Sequence, residues 1–336
     1  RCVAMAPPEK KEGSIVFKAV LFTLGTFCYS FVNILAHLSK NGDNGYDYSL
    51  SSVFIFSEFG KMVLSMGFLA QEGGIPNVVH HFRSASLGNW AMFAVPALLY
   101  AVNNVTDILM GSYMDPATEQ VMQQMKIIAT ALTWWLVFRK PIVARQWTAL
   151  VLLQSGGMLA AIPKKFTGPQ SVFIEPFGCV LILAYMVVSA SAGVYNEWLY
   201  KRKDSVGVSV HFQNIQLYII GCAFLLVKHF TDCGSAATCS MTDGYNSYTF
   251  MLVANYMLMG LCISYVMKFL TNIHKLFMSA CSMFSTTAMM YLFFGQVPSP
   301  VFVASLLIVT AAFLMYNFSL TDFQALMMGA SDKKTK

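Results

Sequence analysis

Apolar stretches long enough to cross a bilayer recur along this chain, at roughly 15–38, 50–70, 89–110, 116–138, 145–163, 172–199, 209–230, 247–267, 272–295 and 299–320. A hydrocarbon core of about 30 Å takes about 20 residues of helix. Hydrocarbon offers no water to the backbone, so spanning segments are helices or closed barrels. Continuous apolar windows of this length predict an all-α polytopic membrane protein with ten transmembrane helices. Composition agrees, since 56% of residues are hydrophobic and 11% charged, against about 25% charged in a soluble domain.

An even number of spans puts both tails on one side, and basic residues in the loops give the orientation. The tails and even-numbered loops hold Arg1, Lys10, Lys11, Arg83, Arg139, Lys140, Arg145, Lys201, Arg202, Lys203, Lys333, Lys334 and Lys336, whereas the odd-numbered loops hold Lys40, Lys164 and Lys165. Thirteen against three predicts cytosolic termini. The net charge of +6 reflects this loop bias, and no basic and aromatic interleaving points to nucleic acid. The eight cysteines form no CxxC pair and no Cys/His cluster, so neither metal nor cofactor is expected. Cys233 and Cys239 share a polar loop on the non-cytosolic side, where a disulfide fits an oxidising compartment. His80 and His81 are adjacent and give only a weak metal signal. No catalytic constellation or phosphate-binding loop stands out, and the chain does not read as an enzyme.

The expected organisation is a polar tail at 1–14, five-helix halves at 15–170 and 171–320, and a basic tail at 321–336. Halves with an odd number of helices must be inverted relative to one another, a recurring transporter design with its site near the midplane. The chain opens on Arg1 rather than Met, which fits either a removed targeting segment or a trimmed sequence. Its end, Lys333-Lys334-Thr335-Lys336, reads as a solvated tail or a dilysine retrieval signal.

Polar residues inside the spans are structural hydrogen bonds or a site. Lys126 leads the candidates, because a lysine at the bilayer centre costs about 2.5–3.5 kcal/mol on insertion scales and faces a partner or a wet cavity. Glu119, Gln123 and Lys126 share a face of the fourth span, with Gln120 and Gln124 beside them. In the second span Glu58 and Lys61, three apart, read as an internal ion pair. In the third, Asp107 follows Asn103 and Asn104 by a helical turn. The seventh span opens with Gln213, Asn214, Gln216 and Tyr218. Ser264, Tyr265 and Lys268 close the eighth, followed by Asn272, His274 and Lys275.

Several segments taken together resemble a known family. Tyr100-Ala-Val-Asn-Asn104, the run Met114 to Ile127, Arg145-Gln-Trp147 with Gly156-Gly157, Ala192 to Glu197, and Gln213 to Tyr218 followed by Val266-Met-Lys268 and Asn272 to Lys275 are similar, in order and spacing, to nucleotide-sugar transporters of the CMP-sialic acid and UDP-galactose type. The resemblance implies a ten-helix drug/metabolite-transporter fold of two inverted five-helix repeats. It implies exchange of a pyrimidine nucleotide sugar for the nucleoside monophosphate across a Golgi or endoplasmic reticulum membrane. Lys126 and Lys268 match the phosphate-binding lysines and Lys61 a further cavity lysine, while Asn104, Gln120, Tyr195, Asn214, Tyr218 and Ser264 fall around the nucleotide.

The chain departs from the family pattern at particular positions. Glu119 stands where a tyrosine is usual, Thr271 where an aspartate is, and Asp107 is an added acid. The asparagine pair fits one residue out of register. Glu58, Asp107 and Glu119 thus oppose Lys61, Lys126 and Lys268. These departures keep a second expectation open, a transporter-like, non-enzymatic subunit with a structural role in a larger membrane complex, plastid-type membranes included. Membrane lipid is a partner on either reading, and the assembly is a homodimer or a larger complex.

Overall fold

The computed structural model describes residues 15–40, 47–113, 116–161, 176–202, 208–233, 240–295 and 297–318. Helix is the only regular structure among them. In chain order the helices are α1 (Ile15–Leu38), α2 (Leu50–Ser84), α3 (Leu87–Tyr113), α4 (Pro116–Gln123), α5 (Lys126–Phe138), α6 (Ala144–Ala161), α7 (Pro176–Lys201), α8 (Val210–Cys233), α9 (Ser247–Phe269), α10 (Asn272–Phe294) and α11 (Pro300–Asn317). Seven of these (α1, α2 and α7 to α11) are long and apolar enough to cross a membrane by length and composition, and α3 adds a shorter apolar segment, Leu87–Asn103.

Two expected spans differ from the helices formed. The window at 116–138 is two helices, because the chain tightens at Gln124 and Met125. Gln124 N–H bonds Val121 O at 3.2 Å, Met125 N–H bonds Met122 O at 3.0 Å and Ile127 N–H bonds Gln124 O at 3.1 Å. These bonds span three residues and form a 3₁₀ turn. The amide of Gln154 in α6 accepts from Ile128 N–H at 3.3 Å, satisfying a donor near the start of α5. The second window, expected to end at 70, continues to Ser84 through a break at Gly73 and Gly74. Gly74 has φ 75°, which favours a residue without a side chain.

The chain divides into two compact units, residues 1–107 with 188–296 and residues 108–187 with 297–336. In the first, α2 packs on α8 and α9, and α1 on α9 and α10. Polar side chains join these helices: Ser30 Oγ donates to Ser282 O at 3.1 Å and Asn255 Nδ2 to Cys28 O at 2.9 Å. At one end of this unit the loops knit together. Tyr48 bonds Ser39 at 2.6 Å, Tyr245 bonds Ser52 at 2.8 Å, and Asn246 Nδ2 donates to Ser39 O at 3.0 Å. Asn246 also caps α9 by accepting from Thr249 N–H at 2.9 Å, which fixes where that helix starts. The side chains of Cys233 and Cys239, and hence their expected disulfide, lie outside the described residues.

In the second unit α6 packs against α11 on one side and against α4 and α5 on another. Lipid tails remove the hydrophobic drive between helices, so small residues that admit close contact take over. Gly156 and Gly157 serve the two sides. A Cβ on Gly156 would sit 2.7 Å from Val309 Cγ2, and one on Gly157 2.9 Å from Gln124 Oε1. Overpacking of this kind costs about 1–3 kcal/mol, so Gly156→Val is expected to lower the thermal midpoint of the detergent-solubilised protein. Gly67→Ala, facing open space, should leave it at the wild-type value.

Candidate functional site

In the first unit a polar network runs across α2, α7, α8 and α9. Lys61 of α2, 8% exposed, bonds Glu58 Oε1 at 2.5 Å and lies over the Tyr218 ring, 4.8 Å from its centroid. Its stem lies against Gly260 of α9, where a Cβ would come within 2.3 Å of Lys61 Cδ. Tyr218 of α8 bonds Ser264 Oγ at 3.2 Å. Ser264 donates back to Gly260 O at 3.1 Å, so the Tyr218 hydroxyl supplies the proton between them. Tyr200 of α7 has one proton to give and gives it to Asn214 Oδ1 at 2.5 Å, with Ser264 Oγ a further 3.4 Å contact.

Asn214 is fully buried, and its Nδ2 has no partner among the described residues. An unmet buried donor costs about 1–3 kcal/mol, so this amide is set to meet an acceptor from outside the bundle, a ligand or water. Gln213 Oε1 and Gln216 Nε2 on the same helix are likewise buried and unmet. Lys268 lies on the face of α9 that carries Gly260 and Ser264, since residues four apart stack on a helix. It is half-buried and makes no hydrogen bond or ion pair with any described residue. Tyr195 is placed differently: its ring lies on Trp198 at 5.3 Å, and Arg202 lies 5.5 Å over Trp198.

A buried carboxylate anchors this unit. Glu197 of α7, 1% exposed, accepts from Asn272 N–H at 2.7 Å and from Lys201 Nζ at 2.7 Å. Lys201 also donates to Leu270 O. The N-terminus of α10 carries partial positive charge, and Glu197 sits on it. Thr271 caps the same helix by accepting from His274 N–H at 3.3 Å.

In the second unit Lys126 is the first residue of α5, its Nζ 3.5 Å from Tyr185 Oη and 5.7 Å from the Tyr185 ring centroid. Lys126 makes no ion pair with a described residue. Glu119, expected on its face, accepts from Gln123 Nε2 at 3.0 Å. The turn at Gln124 and Met125 separates the two segments, so ideal helical spacing does not carry across it.

Of the expected site residues, the structure thus joins Lys61, Asn214, Tyr218 and Ser264 in one network and puts Lys268 on the same face of α9. Lys126 belongs to the other unit. The side chains of Asn104, Asp107 and Gln120 lie outside the described residues. Nothing in the sequence around Tyr200 and Tyr185 marks them as site residues. Tyr200 precedes the basic run Lys201 to Lys203 and looks interfacial, while Tyr185 sits in an unbroken apolar run.

Residues 13–317 match the family described as nucleotide-sugar transporter. The chain belongs to the nucleotide-sugar transporter family. It is therefore an integral membrane protein of a family of transporters rather than enzymes. A probable UDP-sugar transporter of Xenopus tropicalis is 27% identical over 92% of this chain and 95% of its own length. CMP-sialic acid transporter 1 of Oryza sativa subsp. japonica is 32% identical over 82% of this chain and 85% of its own. The protein of that name from Arabidopsis thaliana is 30% identical over 82% of each. A solved structure superposes with a TM-score of 0.67 over 93% of this chain and 99% of its own, at 11% identity, and shares the fold.

Tyr200→Phe in this transporter would strand the buried Asn214 carbonyl, at about 1–3 kcal/mol. Glu197→Ala would strand Asn272 N–H by a similar amount. Both are expected to lower the thermal midpoint measured by tryptophan fluorescence, with Glu197→Ala also exposing the α9–α10 turn to hydrogen exchange.

Proposed function

We propose that this chain exchanges a pyrimidine nucleotide sugar for the corresponding nucleoside monophosphate across a Golgi or endoplasmic reticulum membrane. The observation that carries the reading is that Lys126 in one unit and Lys268 in the other are each an ammonium group without an acidic partner among the described residues. Such charges are costly in hydrocarbon unless a counter-ion or water serves them, and a phosphate group is the counter-ion that the family's substrates bring. Lys126 sits on the first turn of α5, where the helix terminus adds positive potential. A charge-assisted hydrogen bond from either lysine would replace the hydration of a phosphate oxygen.

On this reading the nucleoside lies near Tyr195, Asn214, Tyr218 and Ser264, with Asn104 beside them in the same unit, and Asn214 Nδ2 supplies the donor that the bundle leaves unmet. A base with a ring carbonyl suits that donor, and the relatives are named for UDP-sugars and CMP-sialic acid. Lys61, held by Glu58 and Tyr218, contributes to the wall of the cavity. The two halves, 15–170 and 171–320, act as inverted repeats that rock about the phosphate site, with both termini in the cytosol. The second expectation, a structural subunit of a larger complex, draws no support from these relatives.

Proteoliposomes loaded with UMP or CMP test this directly. Uptake of the labelled nucleotide sugar should be stimulated by the monophosphate inside. Lys126→Ala or Lys268→Ala should lower uptake about 10- to 100-fold, the loss of a hydrogen bond to a charged group worth about 1.5–3 kcal/mol. Absence of trans-stimulation together with unchanged UMP and CMP binding in both variants would sink the proposal.

A further inference from the structure

Beyond the break at Gly73 and Gly74, α2 carries a segment that the transport reading does not use. From Leu50 to Glu72 the helix runs about 34 Å at 1.5 Å per residue, enough to fill a bilayer core of about 30 Å. With the span counted from Leu50, residues 75–84 begin at the membrane boundary, on the side that the basic loops predict to be cytosolic. Asn77 Nδ2 donates to Leu69 O at 3.4 Å across the break. Val78 and Phe82 pack around the buried Leu69, Phe212 and Ile215. One face of the segment is thus fixed to the bundle, and Phe82 also meets Trp90 at 6.0 Å, an aromatic of the sort that settles at headgroup level.

The opposite face is open. Ile75, 75% exposed, and Pro76, Val79, His80, Arg83 and Ser84 line a shallow, open cleft of about 630 Å³ along this one helix segment. Along the helix the lining changes in order. Ile75, Pro76 and Val79 are apolar, and Arg83 follows about 6 Å beyond Val79 at 1.5 Å per residue. No acid lies between Gly73 and Ser84. Arg83 is exposed and makes no hydrogen bond or ion pair with any described residue.

We propose that this cleft is a binding site for an anionic phospholipid of the cytosolic leaflet. The sequence from apolar wall to guanidinium copies the sequence from acyl chain to phosphate in the lipid. The break places the apolar end at the hydrocarbon edge, where a chain enters from the bilayer. Arg83 offers the planar, bidentate donor geometry that suits a phosphate, and an anionic leaflet supplies the complementary charge. An amphipathic segment of this kind lies in the interface with its apolar side towards the acyl chains.

The test uses the full chain in nanodiscs of equimolar phosphatidylserine and phosphatidylcholine, extracted gently, with retained lipid measured by mass spectrometry. The wild type should retain phosphatidylserine over phosphatidylcholine. Arg83→Gln should retain about fivefold less, the factor that about 1 kcal/mol per basic residue at an anionic surface gives. Arg83→Lys should recover part of the loss, and Lys140→Gln, a control in another basic loop, should retain the wild-type amount. Val79→Asp should lower retention further by repelling the chain and the phosphate together. The proposal is overturned by equal retention in Arg83→Gln and wild type. It is equally overturned by inorganic phosphate displacing the lipid fully, which would mark a free-anion site. Elution profiles of the variants show whether they fold. Lipid retention needs no nucleotide, so its failure leaves the transport reading untouched, and the reverse.

Discussion

Hydrocarbon supplies no hydrogen bonds, so each polar atom that the chain carries into the membrane must be met by the bundle or by a ligand or water it admits, and the first unit is organised by that demand. Burying a lone carboxylate costs several kcal/mol. Glu197 meets the cost with three things at once: the backbone N–H of Asn272, the ammonium of Lys201 and the positive end of α10. Its position fixes α7 against the turn between α9 and α10. That turn in turn sets the axial position of the row Gly260, Ser264 and Lys268, and hence which residues of α8 can reach it. The site network is downstream of one structural anion.

The second unit solves a different problem, the loss of regular backbone bonding at Gln124 and Met125. A side chain from α6 supplies the missing partner, and Gly157 lets α6 come close enough for this to happen. Neither feature stands alone, because a bulkier residue at 157 would push Gln124 and the turn away. The outcome is that Lys126 opens a helix rather than sitting in the middle of one. Helix-terminal charge and side-chain charge then add at the same place, near the Tyr185 hydroxyl.

Local interactions were legible in the sequence. Glu58 and Lys61 are three residues apart, and helix geometry alone brings them together, as the 2.5 Å contact shows. The polar start of α8 and the Ser264 to Lys268 turn were equally visible, because polar residues in an apolar window announce themselves. Tyr200 was not visible. Its partners Asn214 and Ser264 lie on other helices, and nothing in the residues around it specifies how α7 is rotated. The extension of α2 was hidden for another reason: hydropathy falls at Gln71 and Glu72, which looks like the end of a helix, while Val78 and Phe82 find apolar partners only in the folded bundle.

By itself the sequence determined that this chain lives in a bilayer, because partition between water and hydrocarbon depends on contiguous composition and needs no knowledge of packing. It also determined the family, through short motifs kept in order. The tertiary structure alone decided that Lys268 keeps an available charge. Lys61 is taken up by Glu58, Tyr218 and the flat surface of Gly260, whereas Lys268, on the same face of α9, meets no described acid. Charge availability in a membrane depends on distances between helices, and those follow from packing rather than from the order of residues along any one of them.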